Sequence, residues 1–411
     1  MNGNIVVGQS GGPTAVINAS VAGVYSAAKR AGIQKVYGME HGIQGFLMEE
    51  LVDLDDYLGD SMGIEILKRT PSAFLGTCRY KMPPIDGNEK VYEEIFRIME
   101  KYNIEAMFYI GGNDSMDTIK MLSDYAKAKN KPQRFVGVPK TVDNDLPVTD
   151  HCPGYGSAAK YIATTVKEVI CDNGSFGLDK PSICVVEIMG RHAGWLTAAA
   201  SLCKGEDCDG PAAIYLPERI FSIDQFVKDM KEIGETRRAA VVAVSEGVKL
   251  SDGRFVCELG NVDQGTDVFG HKQLSGCGNT LSGIIAKELG YKTRAIEFST
   301  VQRSATHLAS LTDIDEAFMA GSDAVEAARD GKTGIMVTLV RDSQFPYHCT
   351  TGTYDIHEIA NFEKCVPTKW ITNDGINVTQ DFVDYAQPLI LGELAPYMVN
   401  GVPRHLVIRK N

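Results

Sequence analysis

Short apolar runs, each closed by a glycine or polar loop and followed by a helical pattern, constrain this chain more than any other feature. The runs lie at 5–8, 106–110, 135–138, 183–188, 212–216, 239–244 and 335–340, with helical patterns at 15–31, 91–102, 116–128, 158–170 and 315–329. Runs that are apolar throughout, rather than alternating, belong to strands buried on both faces. Strands alternating with helices predict an α/β fold with mostly parallel sheets covered on both sides. At 411 residues the chain is too long for one ordinary core, so two Rossmann-like lobes are expected. In such sheets ligands bind beyond the carboxyl ends of the strands, which places the expected site in a cleft between the lobes. Loops after Gly8, Ile110, Val138, Ile188 and Val244 would surround it.

Composition narrows the function. Apolar residues at 44% and charged residues at 23% are those of a folded protein. A formal charge of −12 argues against a nucleic-acid or anionic-membrane partner, so an anionic ligand needs a local cluster of cations. The N-terminal apolar stretch is too short for a signal peptide, and no run approaches the roughly 20 apolar residues needed to span a bilayer. The expectation is a soluble, cytoplasmic protein. Ten cysteines form no CxxC pair and no zinc spacing, and no HExxH occurs, so small reduced thiols are expected and a structural metal site is not.

The loops carry the chemistry. Pro139-Lys140-Thr141-Val142-Asp143-Asn144-Asp145 combines a cation, a hydroxyl and carboxylates, beyond what packing or turn-making needs. A carboxylate base beside a lysine that meets an anionic substrate is one reading; a turn whose Asp and Asn bond their own backbone is the other. Gln9-Ser10-Gly11-Gly12-Pro13-Thr14, between a strand and a helix, lets backbone amides approach a phosphate, and it is not the GxGxxG of dinucleotide sites. Gly111-Gly112-Asn113-Asp114-Ser115 offers oxygens from which hydrated Mg2+ could be held, although Asp114 or Ser115 could equally cap a helix. Arg79, Lys81, Arg191, Arg294 and Arg303 add cations, and Ser245-Glu246-Gly247 adds a carboxylate at a strand end. Gly331-Lys332-Thr333 is no P-loop, because the first glycine of that motif falls on Glu326 and a strand follows.

The ordered set Gly11-Gly12, Gly111-Gly112-Asn113-Asp114-Ser115, Pro139 to Asp145, Met189-Gly190-Arg191 and Gln302-Arg303 resembles the phosphofructokinase family, and most closely its pyrophosphate-dependent branch. The resemblance implies reversible, Mg2+-dependent transfer of a phosphoryl group from pyrophosphate to the C1 hydroxyl of fructose 6-phosphate. By it, Asp143 is the base and Thr141, with Val142 beside it, meets the transferring group. Met189, Gly190 and Arg191 hold the sugar, Glu246 its hydroxyls, and Arg294 and Arg303 the 6-phosphate. Gly11, Gly12, Arg79, Gly112 and Ser115 face the donor, Asn113 stands at the metal position, and the protein is a homo-oligomer, a dimer or tetramer.

The resemblance also implies the donor. ATP-using members carry glycine where this chain has Asp114 and Lys140. A carboxylate at the first place would repel and crowd a nucleotide α-phosphate, and a lysine at the second would neutralise the phosphate leaving pyrophosphate. Departures are Asn113 in place of the family's magnesium aspartate, Ser182 where a neighbouring subunit often lends an arginine, and Thr300 in place of a histidine or tyrosine. The domain plan is a donor lobe at 1–150 completed by part of 303–345, a sugar-phosphate lobe at 151–302 with an insertion at 248–293, and a C-terminal extension at 346–411. Alternatives on the same scaffold are an ATP-dependent kinase, a phosphotransferase for sedoheptulose 7-phosphate, and a non-catalytic sugar-phosphate-binding subunit.

Overall fold

The computed structural model describes residues 1, 3–176, 179–260, 274–359 and 362–409. The apolar runs form two sheets. The larger is built from β1 (Asn4–Gln9), β2 (Val36–Met39), β3 (Leu51–Asp53), β4 (Ile104–Gly111) and β5 (Arg134–Pro139). The second contains β6 (Ser182–Ile188), β7 (Ala213–Tyr215), β8 (Ala239–Ser245) and β9 (Lys292–Glu297). The chain then returns to the larger sheet with β10 (Ile335–Ser343) and β11 (His348–Asp355), giving the order β11-β10-β5-β4-β1-β2-β3. Its inner strands are parallel, while β3 and β11 close the edges antiparallel. The smaller sheet, ordered β7-β8-β6-β9, is parallel throughout.

Strand order decides where a ligand can sit. From β1 the chain moves one way to β2, and from β4 it moves the other way to β5, so the loops leaving β1 and β4 part company and open a crevice between them. In the second sheet the central neighbours are β8 and β6, and the chain leaves them in opposite directions, from β6 to β7 and from β8 to β9. Helices Ile17–Arg30 and Leu311–Arg329 pack together over the larger sheet. Gly23 and Gly321 allow it, since a Cβ on Gly23 would stand 2.0 Å from the Phe318 carbonyl oxygen.

The stretch 248–293 supplies helix Cys277–Leu289 and the first residues of β9, so part of it belongs to the second lobe's own layers; residues 261–273 lie outside the described residues. β9 carries no apolar run because it is an edge strand exposed along much of its length. Beyond β11 the tail crosses to the other lobe, where Trp370, Phe382 and Tyr385 pack around Trp195 with ring centres 6.0, 6.3 and 5.3 Å away. All ten cysteines are free thiols; Cys171 and Cys365 are exposed, and Cys349 is half-buried. Among the described residues no helix is long and apolar enough to cross a membrane.

Candidate active site

A cleft of about 760 Å³ lies where the diverging loops of the two sheets face each other. The loop after β1 brings Gly11 and Gly12, the segment after Gly76 brings Arg79, and the loop after β4 brings Gly112, Asn113, Asp114 and Ser115. From the loop after β5 come Lys140, Thr141, Val142, Asp143 and Asp145; from the second lobe come Met189, Arg191, Glu246 and Arg303.

Lys140 is almost fully buried, and its ammonium donates to the Gly12 carbonyl at 2.7 Å. Gly11 adopts φ +74°, a left-handed conformation that a residue with a Cβ takes at a strain cost. A Cβ on Gly12 would stand 2.9 Å from Nη1 of Arg303, so a guanidinium from the second lobe lies against this loop. Two cations therefore press on backbone that can admit a phosphate. Opposite them, helix Asn113–Ala128 points its N-terminus at the cleft, with Gly112 as its N-cap and Asp114 in its first turn.

The base-bearing loop is held by its own polar groups. The Asp143 N–H donates to Thr141 Oγ1 at 3.1 Å. Asn144, at φ +54°, turns inward; its Nδ2 donates to the Tyr385 hydroxyl at 2.9 Å, and its Oδ1 accepts the Cys152 N–H at 2.9 Å. That turn leaves Asp143 and Asp145 facing the cleft. Burial pushes the Asp143 carboxyl above the ordinary carboxylate range, against the pull of Lys140 and Arg303. Burial, with Asp143 adding to it, pushes Asp145 up to about 7. Lys140 is lowered to about 8, chiefly by burial and against the pull of Asp143.

On the sugar side, Gly190 takes φ +145° and its N–H points to Oε1 of Glu246 at 3.4 Å, while Gln302 Oε1 accepts the Met189 N–H at 3.3 Å. Glu246 is pushed up to about 8, first by burial, with its bond from Gly190 opposing.

Arg294 is the sequence-predicted residue that the structure does not bring here. It sits on the edge strand β9, exposed, with Nη1 3.3 Å from Asp172 and its guanidinium 6.0 Å from the Phe176 ring centre. Strand register decides this: Arg294 pairs with Cys184 at mid-strand, well before the C-terminal end from which the cleft loops leave. Conversely, Phe362, Glu363 and His192 line the cleft and were not anticipated. His192 follows Arg191 directly and could have been read from that motif. Nothing local marks Phe362 or Glu363, which lie in a tail without periodicity.

Asn113 tests the metal position. Its Nδ2 donates to the Phe362 carbonyl at 2.7 Å, while its buried Oδ1 meets no hydrogen-bond donor among the described residues. Asp114 and Asp145 also line the cleft. Hard oxygen donors of this kind fit Mg2+.

The sequence profile of the phosphofructokinase family, described as "Phosphofructokinase", matches residues 4–328. A pyrophosphate–fructose 6-phosphate 1-phosphotransferase from Halomonas elongata is 40% identical over 410 residues, covering 99% of this chain and 96% of that protein. The crystal structure of a pyrophosphate-dependent phosphofructokinase from Marinobacter aquaeolei superposes with a TM-score of 0.87 at 37% identity, covering 100% of this chain and 98% of that one. Its counterpart from Nitrosospira multiformis gives 0.87 at 36% identity, covering 99% and 98%.

Proposed function

The chain belongs to the phosphofructokinase family, and on that premise we propose that it transfers a phosphoryl group from pyrophosphate to the C1 hydroxyl of fructose 6-phosphate. The products are fructose 1,6-bisphosphate and phosphate, and the reaction runs in either direction. The observation that carries this reading is the cleft itself: Lys140, Asp143, Arg303 and Asp114 converge in it, on a chain 40% identical over nearly its full length to a protein named for that activity.

Each group has a task. Pyrophosphate lies over Gly11 and Gly12, where Lys140 and the helix N-terminus at Gly112 offset its charge; Arg303, expected from the resemblance at the sugar 6-phosphate, lies against Gly12 and faces the donor as well. Arg79 and Ser115 complete the donor side. Fructose 6-phosphate rests against Met189, Gly190 and Arg191, with Glu246 accepting from its hydroxyls. Asp143 takes the C1 hydroxyl proton as O1 bonds to the nearer phosphorus, and the bond to the bridging oxygen breaks. Lys140 neutralises the phosphate that leaves, and the hydroxyl of Thr141, fixed by the Asp143 N–H, faces the moving group.

Little covalent work falls to the protein; positioning and charge neutralisation supply the acceleration. When Mg2+ is bound, held through Asn113 Oδ1 and Asp114, it adds neutralising charge on the phosphate oxygens. Asp114 also sets the donor, by repelling the α-phosphate that a nucleotide would bring.

We read the protein as a cytoplasmic homo-oligomer, a dimer or tetramer. Exposed Met398, Val399 and Val402 on one terminal hairpin support association, which a native mass measurement checks. For the activity, fructose 1,6-bisphosphate formation is measured from fructose 6-phosphate and Mg2+ with pyrophosphate or with ATP. Product with pyrophosphate alone is expected. Product with ATP alone would leave Asp143 standing and overturn the roles of Asp114 and Lys140.

A further inference from the structure

Residues 362–366 lie beyond the 4–328 stretch covered by the family profile, yet they tie the two sides of the cleft together. On one side Asn113 Nδ2 donates to the Phe362 carbonyl and the Lys364 N–H donates to the Asp145 carbonyl, each at 2.7 Å. On the other, the Trp195 indole donates to the Lys364 carbonyl at 2.8 Å and the Val366 N–H donates to Glu218 Oε1 at 2.9 Å. The same Glu218 oxygen accepts the Gly194 N–H at 2.8 Å, so one carboxylate joins the loop after β6 to the tail.

The Lys364 side chain turns inward between these anchors. Its ammonium donates to the carbonyls of Thr149 and Asp150 at 3.1 and 2.8 Å, and it stands 5.4 Å from the centre of the Trp195 ring. The residue is half-buried, and burial of its ammonium end lowers its pKa from the ordinary value. The ammonium's contacts land on Thr149 and Asp150, and the backbone N–H of the same residue lands on Asp145, all in the stretch that follows Asp143.

We propose that Lys364 is a positioning residue, which fixes the end of loop 140–150, and with it Asp143, against the sugar-side loop 189–195. This rests on the assignment of Asp143 as base. Lys364 touches no reacting atom; it sets the angle from which the carboxylate meets the C1 hydroxyl. A lysine that merely anchored the tail would affect stability and leave turnover per folded molecule alone.

Lys364→Met keeps the aliphatic length and removes the donors. In the full chain, kcat is expected to fall ~10²-fold, the scale of a reacting group misplaced by about 1 Å. KM for pyrophosphate should stay within about twofold, because the donor groups are not touched. A kcat close to that of the parent would overturn the positioning role.

Asp143→Asn separates this from the underlying reading. An active Asp143→Asn variant removes the base, and the positioning role with it; an inactive one beside an unimpaired Lys364→Met variant sinks the Lys364 proposal alone. Hydrogen exchange on the wild-type enzyme avoids any folding defect. Fructose 1,6-bisphosphate should slow exchange at 362–366 together with 141–150, and protection of 141–150 without 362–366 would overturn the coupling.

Discussion

The loop 140–145 and the pair Asp150-His151 that soon follows both bury ionisable side chains, and they treat them in opposite ways. His151 lies between carboxylates, with Nδ1 2.9 Å from Asp150 and Nε2 2.6 Å from Glu316. Arg341 in turn donates to Asp150 at 2.8 Å, and the Tyr347 hydroxyl donates to Glu316 at 2.6 Å. Burial works against charging His151, yet Glu316 and Asp150 outweigh it and raise the imidazole to about 9. Burial likewise opposes charge on Asp150, and His151 and Arg341 overcome it.

In the cleft burial wins instead, and Lys140, Asp143, Asp145 and Glu246 are all pushed toward their neutral forms. The residue types are similar. What differs is that the cleft groups face the volume a polyanion and a metal ion would fill, so their counter-charges come with the substrates. One cluster is complete without a ligand and the other is completed by one.

The largest effect should come from the cleft. Replacing Asp143 by Asn is expected to lower kcat by roughly 10³–10⁴-fold, the upper part of the range for a lost general base. Its denaturation midpoint should hold or rise, because a buried carboxyl that resists ionisation has gone. A marked loss of stability with kcat retained would reverse the comparison and make Asp143 a structural residue.

Glu316→Gln probes the other cluster, where the expectation is the opposite. It leaves His151 buried beside a neutral partner, and removing one member of a buried ion pair costs about 3–5 kcal/mol. Urea unfolding should show that loss, while kcat of the folded fraction stays near the parent value. His151, Glu316 and Cys349 also stand close enough to share a metal ion, although hydrogen bonds already occupy the imidazole and the carboxylate. Sequence spacing could not have found this group, whose members come from distant parts of the chain.

That failure marks what a sequence read in order can and cannot yield. The loops after β1, β4, β5, β6 and β8 were legible because each follows a fully buried strand, and burial on both faces leaves an unbroken apolar run. Lys140 and Asp143 stood out because neither packing nor turn-making needs them. Edge strands β3, β9 and β11 face water on part of their length and carry no such run, so the sequence does not mark Arg294, expected from the resemblance at the 6-phosphate, as a mid-strand residue. Glu363 and Lys364 owe their places to the chain's return across both lobes, which no local pattern encodes.

Lys140→Met tests the cleft at the next scale. Loss of a buried cation that meets the leaving phosphate should lower kcat/KM for pyrophosphate by ~10²-fold, as removal of a single preorganised charge-stabilising donor does. It should also alter the pH profile. Lys140 is lowered to about 8, so in the free enzyme the cation is lost as pH rises through about 8, and wild-type kcat/KM should decline there. A decline that survives the substitution would assign that limb to another group.

The smallest effect sharpens the comparison from the satisfied side. His151 holds its proton more tightly folded than unfolded, about 9 against an ordinary 6.5, so between those values the native state binds more protons than the unfolded one. Stability from this group is therefore full below pH 6.5 and is lost as pH rises toward 9, at no more than about 1.4 kcal/mol per pH unit. Glu246, raised to about 8, contributes a slope of the same sign below that value, so the wild-type slope alone does not isolate His151. The difference between wild type and Glu316→Gln does, because the variant removes one of the two carboxylates that hold the proton and leaves Asp150. Urea unfolding at half-unit steps from pH 6.5 to 9 should give a steeper decline in the wild type. Parallel curves would mean that Glu316 does not hold the His151 proton, and that its place in this cluster is one of packing rather than of charge.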